Sequence, residues 1–351
     1  GRAPLRQAAV ATRMAADAEL SESQRRSRFA ITSAYLNLQL ADAQVPVWQR
    51  AIELSGALLR DARAIRRRGL AARIDTLQAE ALHQGDHQGL AAAEAQRSVA
   101  RSGLARALNL PPNQAVTASD PLVPGAAWPL ALPASIQAAL KDRPLLDAIA
   151  QQRQAQLAQV KAARALVLPR IGLLLGAGYS GDKLAAPVVQ NTPSVGVSGL
   201  GSATLPSQSL NATANGSFYD WGALLTLRQP LFDGGLSRQS MALAQRRADR
   251  KQVALQQAEQ LITQSVETFW AEHQAAAAQQ QAAAAAVRAG EQAVRDAQLR
   301  YRASIAPITE VLIAQRDLQA ARSALAAAIY RWNLTRAGLA METGIEGGMA
   351  R

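Results

Sequence analysis

The 351-residue chain contains no cysteine, which removes disulfides, thiolate chemistry, Cys-ligated metal sites and an acylated cysteine anchor from the sequence. Only 4% of it is aromatic, too little bulk to fill a thick globular core. No run of 18 apolar residues occurs, so no helix qualifies as a membrane span. Only four of its 38 basic residues are lysine. The arginines behind the net charge of +12 are dispersed and no basic face with interleaved aromatics can be drawn, so the charge reads as a solvated helix surface and not as nucleic-acid binding.

What the chain has in abundance is Ala, Leu, Gln and Arg in long stretches with little Pro or Gly, the composition of long helices packed through small side chains. It also repeats itself. At a constant offset of 235, Arg60-Asp61-Ala62 recurs as Arg295-Asp296-Ala297, Leu77 as Leu312, and Arg101-Ser102-Gly103-Leu104-Ala105 as Arg336-Ala337-Gly338-Leu339-Ala340. Upstream, Leu20, Ile31 and Tyr35 fall on Leu255, Val266 and Trp270. A period this long is a structural half, so the fold is expected to carry an internal two-fold repeat.

Each copy reads as a helical hairpin. Residues 2 to about 66 form one helix or two nearly continuous ones, weakly broken near Pro46, and residues 236 to about 302 match them. Leu255, Ala258, Ile262, Val266 and Phe269 recur at steps of three and four, a narrow seam against neighbouring helices. About 65 helical residues make a rod of roughly 100 Å. Short turns follow at Gly69-Leu70 and Ser304-Ile305, with Gly69 suited to a left-handed helix end and Pro307 to a first helical turn. Return helices are expected over about 74–109 and 308–343, and the C-terminal tail over 344–351.

Between the copies, residues 110–134 hold six prolines and read as a linker, and residues 135–167 return to helix, interrupted at Arg143-Pro144. From 168 to 232 the pattern turns to strand. Leu168–Tyr179 and Trp221–Phe232 are apolar segments of transmembrane-strand length. The intervening stretch, nearly uncharged and rich in Gly, Ser, Thr, Asn and Pro, reads as an exposed loop flanked by Tyr179, Tyr219 and Trp221 as interface aromatics. One strand pair leaves unsatisfied edges in hydrocarbon. Closure is open to a matching pair ahead of the first copy, to strands pooled from several protomers, or to both. The second copy is preceded by a strand pair and the first is not, so a preceding segment with a strand pair and an export signal is expected.

These features together carry a resemblance. Arg143-Pro144-Leu145, Leu168-Pro169, the Gln229-Pro230-Leu231-Phe232-Asp233-Gly234-Gly235 run, Tyr301 before Ser304, Glu310-Val311-Leu312 and the Leu339–Gly344 segment resemble the TolC-type outer-membrane efflux proteins in motif, order and spacing. The resemblance implies a mainly α fold. Two long helical hairpins contribute to a trimeric α-barrel tunnel, two strands to an outer-membrane β-barrel, and residues 110–150 with the tail to an equatorial belt. It further implies a homotrimer in the outer membrane of a Gram-negative bacterium, extending into the periplasm. Its partners would be outer-membrane lipid, a periplasmic adaptor (membrane fusion) protein and an inner-membrane RND or ABC transporter. No cofactor and no nucleic acid are implied. The function expected is a passive exit duct of a tripartite efflux or type I secretion system. A soluble periplasmic coiled-coil scaffold or adaptor is the alternative, against which the strand pair speaks.

By motif position the resemblance marks Asp75, Ile74, Tyr301 and Glu310 as the periplasmic gate, and Gly69, Leu70, Ser304 and Ile305 as adaptor-contacting turns. Ile74, Ala306 and Ile313 replace polar gate positions of the family, and Arg302 or Arg73 is offered as a substitute cation. Read from the residues alone, Asp75 and Glu310 are equally acids in a first helical turn, favoured by about 0.3–1 kcal/mol, and the turn residues simply turns. Arg66-Arg67-Arg68 reads as a solvated tip. His83 and His87 stand four apart with Asp86 between them, yet no third ligand at helical spacing follows and Gly85 and Gly89 are expected to loosen the helix, so no metal site is assigned. With His273 the only other histidine, no catalytic arrangement is visible and no enzyme is expected.

Overall fold

The structure is a computed structural model that describes residues 2–111, 114, 116–141, 143–165, 168–182, 195–196, 202–203, 216–229 and 232–345. Helix α1 runs over Arg2–Arg67 and α2 over Arg73–Ala107. Helices α3 (Leu132–Lys141) and α4 (Pro144–Arg164) follow, then strands β1 (Arg170–Asp182), β2 (Val195–Gly196), β3 (Ser202–Ala203) and β4 (Gly216–Arg228), and finally α5 (Leu236–Arg302) and α6 (Ile308–Thr343). No described helix is long and apolar enough to cross a membrane.

The chain divides into two compact units, one of Gly1–Arg13 with Gln152–Lys251 and one of Met14–Gln151 with Gln252–Arg351. The first unit holds the strands. β1 and β4 pair antiparallel from Arg170↔Arg228 to Asp182↔Gly216. The strand pair is offset from its expected limits: β1 starts after Pro169, and β4 ends at Arg228, before Pro230. Pro has no N–H to give a ladder, so Pro169 falls outside the paired region. The longer register draws residues 180–182 and 216–220, expected in the loop, into the ladder. β2 pairs with β3, and the rest of the expected loop lies outside the described residues, as does the tail from 346 on.

The alternation of side chains sorts the hairpin into two faces. One carries Ile171, Leu173 and Leu175 opposite Leu227, Leu225 and Ala223, while the other carries Gly172, Leu174 and Gly176 opposite Thr226, Leu224 and Gly222. The first is an apolar ribbon and all of its leucines and isoleucine are exposed within the chain. Where β4 hands over to helix, Asp233 caps α5: its Oδ2 accepts the Ser237 N–H at 2.9 Å and its Oδ1 the Gly235 N–H at 3.0 Å. Gly234 and Gly235 have φ of 63° and 84°, a left-handed pair that side chains resist. The Asp-Gly-Gly motif is thus a strand-to-helix joint.

In the second unit the core is thin and divided. α1 is continuous through exposed Pro46. The expected seam of α5 is real, with Ala258, Ile262 and Val266 buried. α2 is not loosened by its glycines, since it is unbroken and Gly89 admits the Trp48 ring so closely that a Cβ there would lie 2.3 Å from it. α3 takes in Pro133, expected in the linker, because the first helical turn tolerates proline.

Candidate functional site

The two hairpin turns share one backbone. Gly69 and Ser304 have φ of 77° and 58°. Gly69 N–H donates to Arg66 O at 2.9 Å and Ser304 N–H to Tyr301 O at 2.9 Å, while Leu70 and Ile305 N–H reach back to Ile65 O and Arg300 O at 3.2 and 2.9 Å. Each bond is its counterpart displaced by 235 residues. Both are helix ends closed by a left-handed residue and a bond spanning five residues.

Around the turns lies a packed cluster of Leu58, Leu59, Ala62, Ala79, Leu82, Ala297, Tyr301, Ile308, Val311 and Leu312. It holds the ends of both hairpins together. A cleft of about 300 Å3 opens between the turns, lined by Leu70, Asp75, Tyr301, Ser304 and Ile305 among others. Tyr301 is only 5% exposed, and its hydroxyl has no hydrogen-bond partner among the described residues. Burial, reinforced by the nearby carboxylates of Asp75 and Asp61, pushes its phenol up to about 12, so the group is a neutral donor at physiological pH.

The marked gate residues separate into different environments. Glu310 is half-buried in the first turn of α6 and pairs with Arg300 at 3.1 Å. Asp75 is half-buried in the first turn of α2. Ile74 and Ile313 are exposed, and Ala306 is buried. Arg302 is engaged elsewhere, its Nε on Asp61 Oδ2 at 2.7 Å. Leu70 and Ile305 are exposed at the apices.

On the strands, Tyr179 stands opposite Tyr219 and Trp221 opposite Ala177, so the three marked aromatics occupy neighbouring register positions, and Trp221 is exposed. The histidines meet edge to face, ring centres 4.7 Å apart. His83 Nδ1 lies 3.1 Å from Ser55 Oγ. Burial raises the Asp86 carboxyl against the lowering hydrogen bond from Ser55. Among the described residues no group of three or more His, Cys, Asp or Glu is placed to hold a metal ion.

A second polar assembly, whose partners the sequence does not announce, fixes the linker region. Arg143 is 4% exposed. Its Nη2 donates to Glu22 Oε1 at 3.0 Å and its Nη1 meets Glu342 Oε2 at 2.8 Å and the Glu342 carbonyl at 3.2 Å. One guanidinium thereby ties α1 to the C-terminal end of α6. Burial raises the Glu342 carboxyl, with Arg143 opposing. Nearby, the ring of His273 stacks on Trp332 with centres 3.9 Å apart. Its Nε2 accepts the Trp128 backbone N–H at 3.3 Å and its Nδ1 sits 3.0 Å from Thr335 Oγ1. That threonine hydroxyl donates to Arg331 O at 2.8 Å, which leaves Nδ1 as the protonated nitrogen. Burial lowers the His273 pKa, in keeping with a neutral acceptor. Asn333 and Trp332 complete the attachment, bonding Val123 O and Gly125 O at 2.8 Å each. The proline-rich linker is thus laced to α6 and α5, and through Tyr35 and Gln39 on Asp120 to α1.

Residues 135–344 match the family described as outer membrane efflux protein. The chain belongs to that family. This efflux family member is 26% identical over 257 residues to Protein CyaE of Bordetella pertussis (strain Tohama I), covering 73% of the chain and 49% of that protein. It therefore spans about half the length of this curated relative. Among solved structures, the outer-membrane channel OprN aligns with a TM-score of 0.80 at 20% identity, over 98% of this chain and 71% of that one. The outer membrane protein VceC of Vibrio cholerae aligns at 0.79 and 19%, over 96% and 74%, and the open-state outer membrane channel MtrE of Neisseria gonorrhoeae at 0.75 and 22%, over 97% and 71%. At these identities the likeness is one of fold: two helical hairpins and a strand pair of the outer-membrane channel type.

Proposed function

We propose that the family member is one wall segment of an outer-membrane exit duct in a Gram-negative bacterium. Three copies line a passage that an inner-membrane RND or ABC transporter feeds through a periplasmic adaptor. The observation that carries this reading is the combination, in one chain, of two helical hairpins related by the 235-residue offset and an antiparallel strand pair with one face apolar at Ile171, Leu173, Leu175, Ala223, Leu225 and Leu227. Such a face suits outer-membrane lipid, with Tyr179, Tyr219 and Trp221 as interface anchors. A soluble coiled-coil scaffold has no use for it.

Within this reading Asp75 and Glu310 form the periplasmic gate with Ile74 beside them, and Tyr301 packs the gate from behind. The half-buried position of both acids at repeat-equivalent sites, with Asp75 lining the cleft, supports that assignment. Gly69, Leu70, Ser304 and Ile305 form the adaptor-contacting turns, supported by the exposed apolar apices. Repeated around an axis, Glu310 would favour cations over anions. The test is single-channel recording of the reconstituted trimer. Glu310→Ala lowers cation selectivity or raises leak conductance if the gate is there, and unchanged currents remove the gate. Recovery of the native full-length product in the soluble fraction removes the duct.

A further inference from the structure

The two turns match in backbone and diverge in charge, and the excess lies in one of them. Arg66, Arg67, Arg68 and Arg73 surround the first turn, all exposed and, among the described residues, with side chains in no ion pair or hydrogen bond. Their repeat equivalents are Tyr301, Arg302, Ala303 and Ile308. Of these, Tyr301 and Ile308 are buried in the core cluster, and Arg302 is neutralised by Asp61. The second copy therefore shows that the turn can be built without a free cation. Four like charges crowded over eight residues oppose folding, so their presence calls for a cause outside the fold.

We infer that the first turn is a docking surface for an acidic protein, whose carboxylates meet Arg66, Arg67, Arg68 and Arg73 while a side chain of the same partner enters the adjacent cleft. This rests on the duct reading and deepens it, since it names the chemistry of the partner that reaches the turns. Two observations select a protein over an anionic membrane surface. The cleft beside the arginines, about 300 Å3 and lined by Leu70, Tyr301 and Ile305 among others, is large enough to take a side chain. Leu70, exposed between Arg68 and Arg73, offers an apolar contact at the centre of the charge. A flat array of headgroups cannot enter a pocket; a side chain can. Arginine suits the task because its planar fork holds a carboxylate by two hydrogen bonds.

The test uses the full chain in detergent and three synthetic helical-hairpin peptides, identical except for three tip residues that are all Glu, all Gln or all Lys. Binding is followed by fluorescence anisotropy at about 50 and about 300 mM salt, which spans strong and weak screening. The Glu peptide is expected to bind at least about tenfold tighter than the Gln peptide at low salt, with the gap narrowing at high salt. Exchange of the four arginines for glutamine (R66Q, R67Q, R68Q and R73Q together) erases the preference, whereas R300Q with R302Q at the second turn keeps it. Equal binding of all three peptides, or binding of none, overturns the inference. So does capture of phosphatidylglycerol vesicles in preference to the Glu peptide with the same dependence on the four arginines, which makes the surface a membrane contact. Should L70S with I305S abolish binding of every peptide without any preference for charge, docking at the turns stands and the acidic partner falls. If the charge preference holds while the reconstituted protein conducts no ions, the duct reading is the one that falls.

Discussion

At Ser304 the chain turns against a packed interior: Tyr301 and Ile308 are buried, Glu310 is paired with Arg300, and Arg302 with Asp61. At Gly69 the same φ and the same backbone hydrogen bonds support a turn surrounded by unpaired arginines, with Leu70 and Ile74 in the open. A duplicated turn thus retained its geometry, which a few local bonds and one left-handed residue set, while its side chains were free to part. Residues flanking the second turn became part of the core cluster, and their equivalents at the first stayed exposed. Backbone conformation at these tips is a local property; burial is set by what packs on each copy.

The largest consequence of that division falls on the repeat-related leucines. Leu312 is 7% exposed and Leu77 is 48% exposed. Leu312→Ala removes side-chain volume from the cluster of Leu58, Leu82 and Val311 and is expected to cost about 2–5 kcal/mol. Leu77→Ala should cost under about 1 kcal/mol, since little of its surface leaves water within the chain. Thermal unfolding of the two variants side by side checks this. A loss at Leu77 as large as at Leu312 breaks the comparison and shows the outer face of the first hairpin to be covered in the assembly.

A second pair of equivalent residues should shift stability in opposite directions. Gly338 faces the Phe269 ring, where an added Cβ would come within 2.6 Å, whereas Gly103, at the same point of the first copy, faces open space. The residue equivalent to Phe269 is Ala34, so the first copy has no ring to accommodate. Gly338→Ala should destabilise by about 1–3 kcal/mol through overpacking. Gly103→Ala, within α2 and with nothing near the added Cβ, should stabilise by about 0.5–1 kcal/mol by restricting the unfolded chain. Denaturant midpoints that move the same way for both would remove the claimed difference in packing.

How much of this was legible depended on range. The offset of 235, the hairpins and both turns were readable because they rest on identical short motifs and on neighbours within a few residues. Arg143 was visible as part of a motif, but its partners Glu22 and Glu342 lie 121 and 199 positions away, and nothing local marks either as its counter-ion. His273 likewise looked solitary, for its acceptor role depends on the Trp128 backbone arriving from a proline-rich segment. Gly89 was misread for the same reason: local propensity makes a helical glycine a weakness, and only the Trp48 ring from another helix turns it into a packing site. The strand limits shifted because the antiparallel register, not the apolar run, decides where pairing stops.

The smallest expected effect concerns the residue that most separates the two turns. Tyr301→Phe removes a hydroxyl that bonds to nothing among the described residues, so at neutral pH stability should change by no more than about 1 kcal/mol in either direction. The alkaline limb is where the variant should differ. The folded phenol is raised to about 12 from an ordinary 10, first by burial and then by Asp75 and Asp61. Between those values the unfolded chain releases a proton that the folded chain keeps, so the contribution is intact below pH 10 and is lost as pH rises towards 12. The phenylalanine variant lacks this proton and should lose less stability over that interval than the parent. Alkaline titration of tyrosinate absorbance, parent minus variant, should show one phenol ionising near pH 12. A difference curve centred near pH 10 would place Tyr301 in water, and with it would go the contrast between the buried flank of the second turn and the open flank of the first.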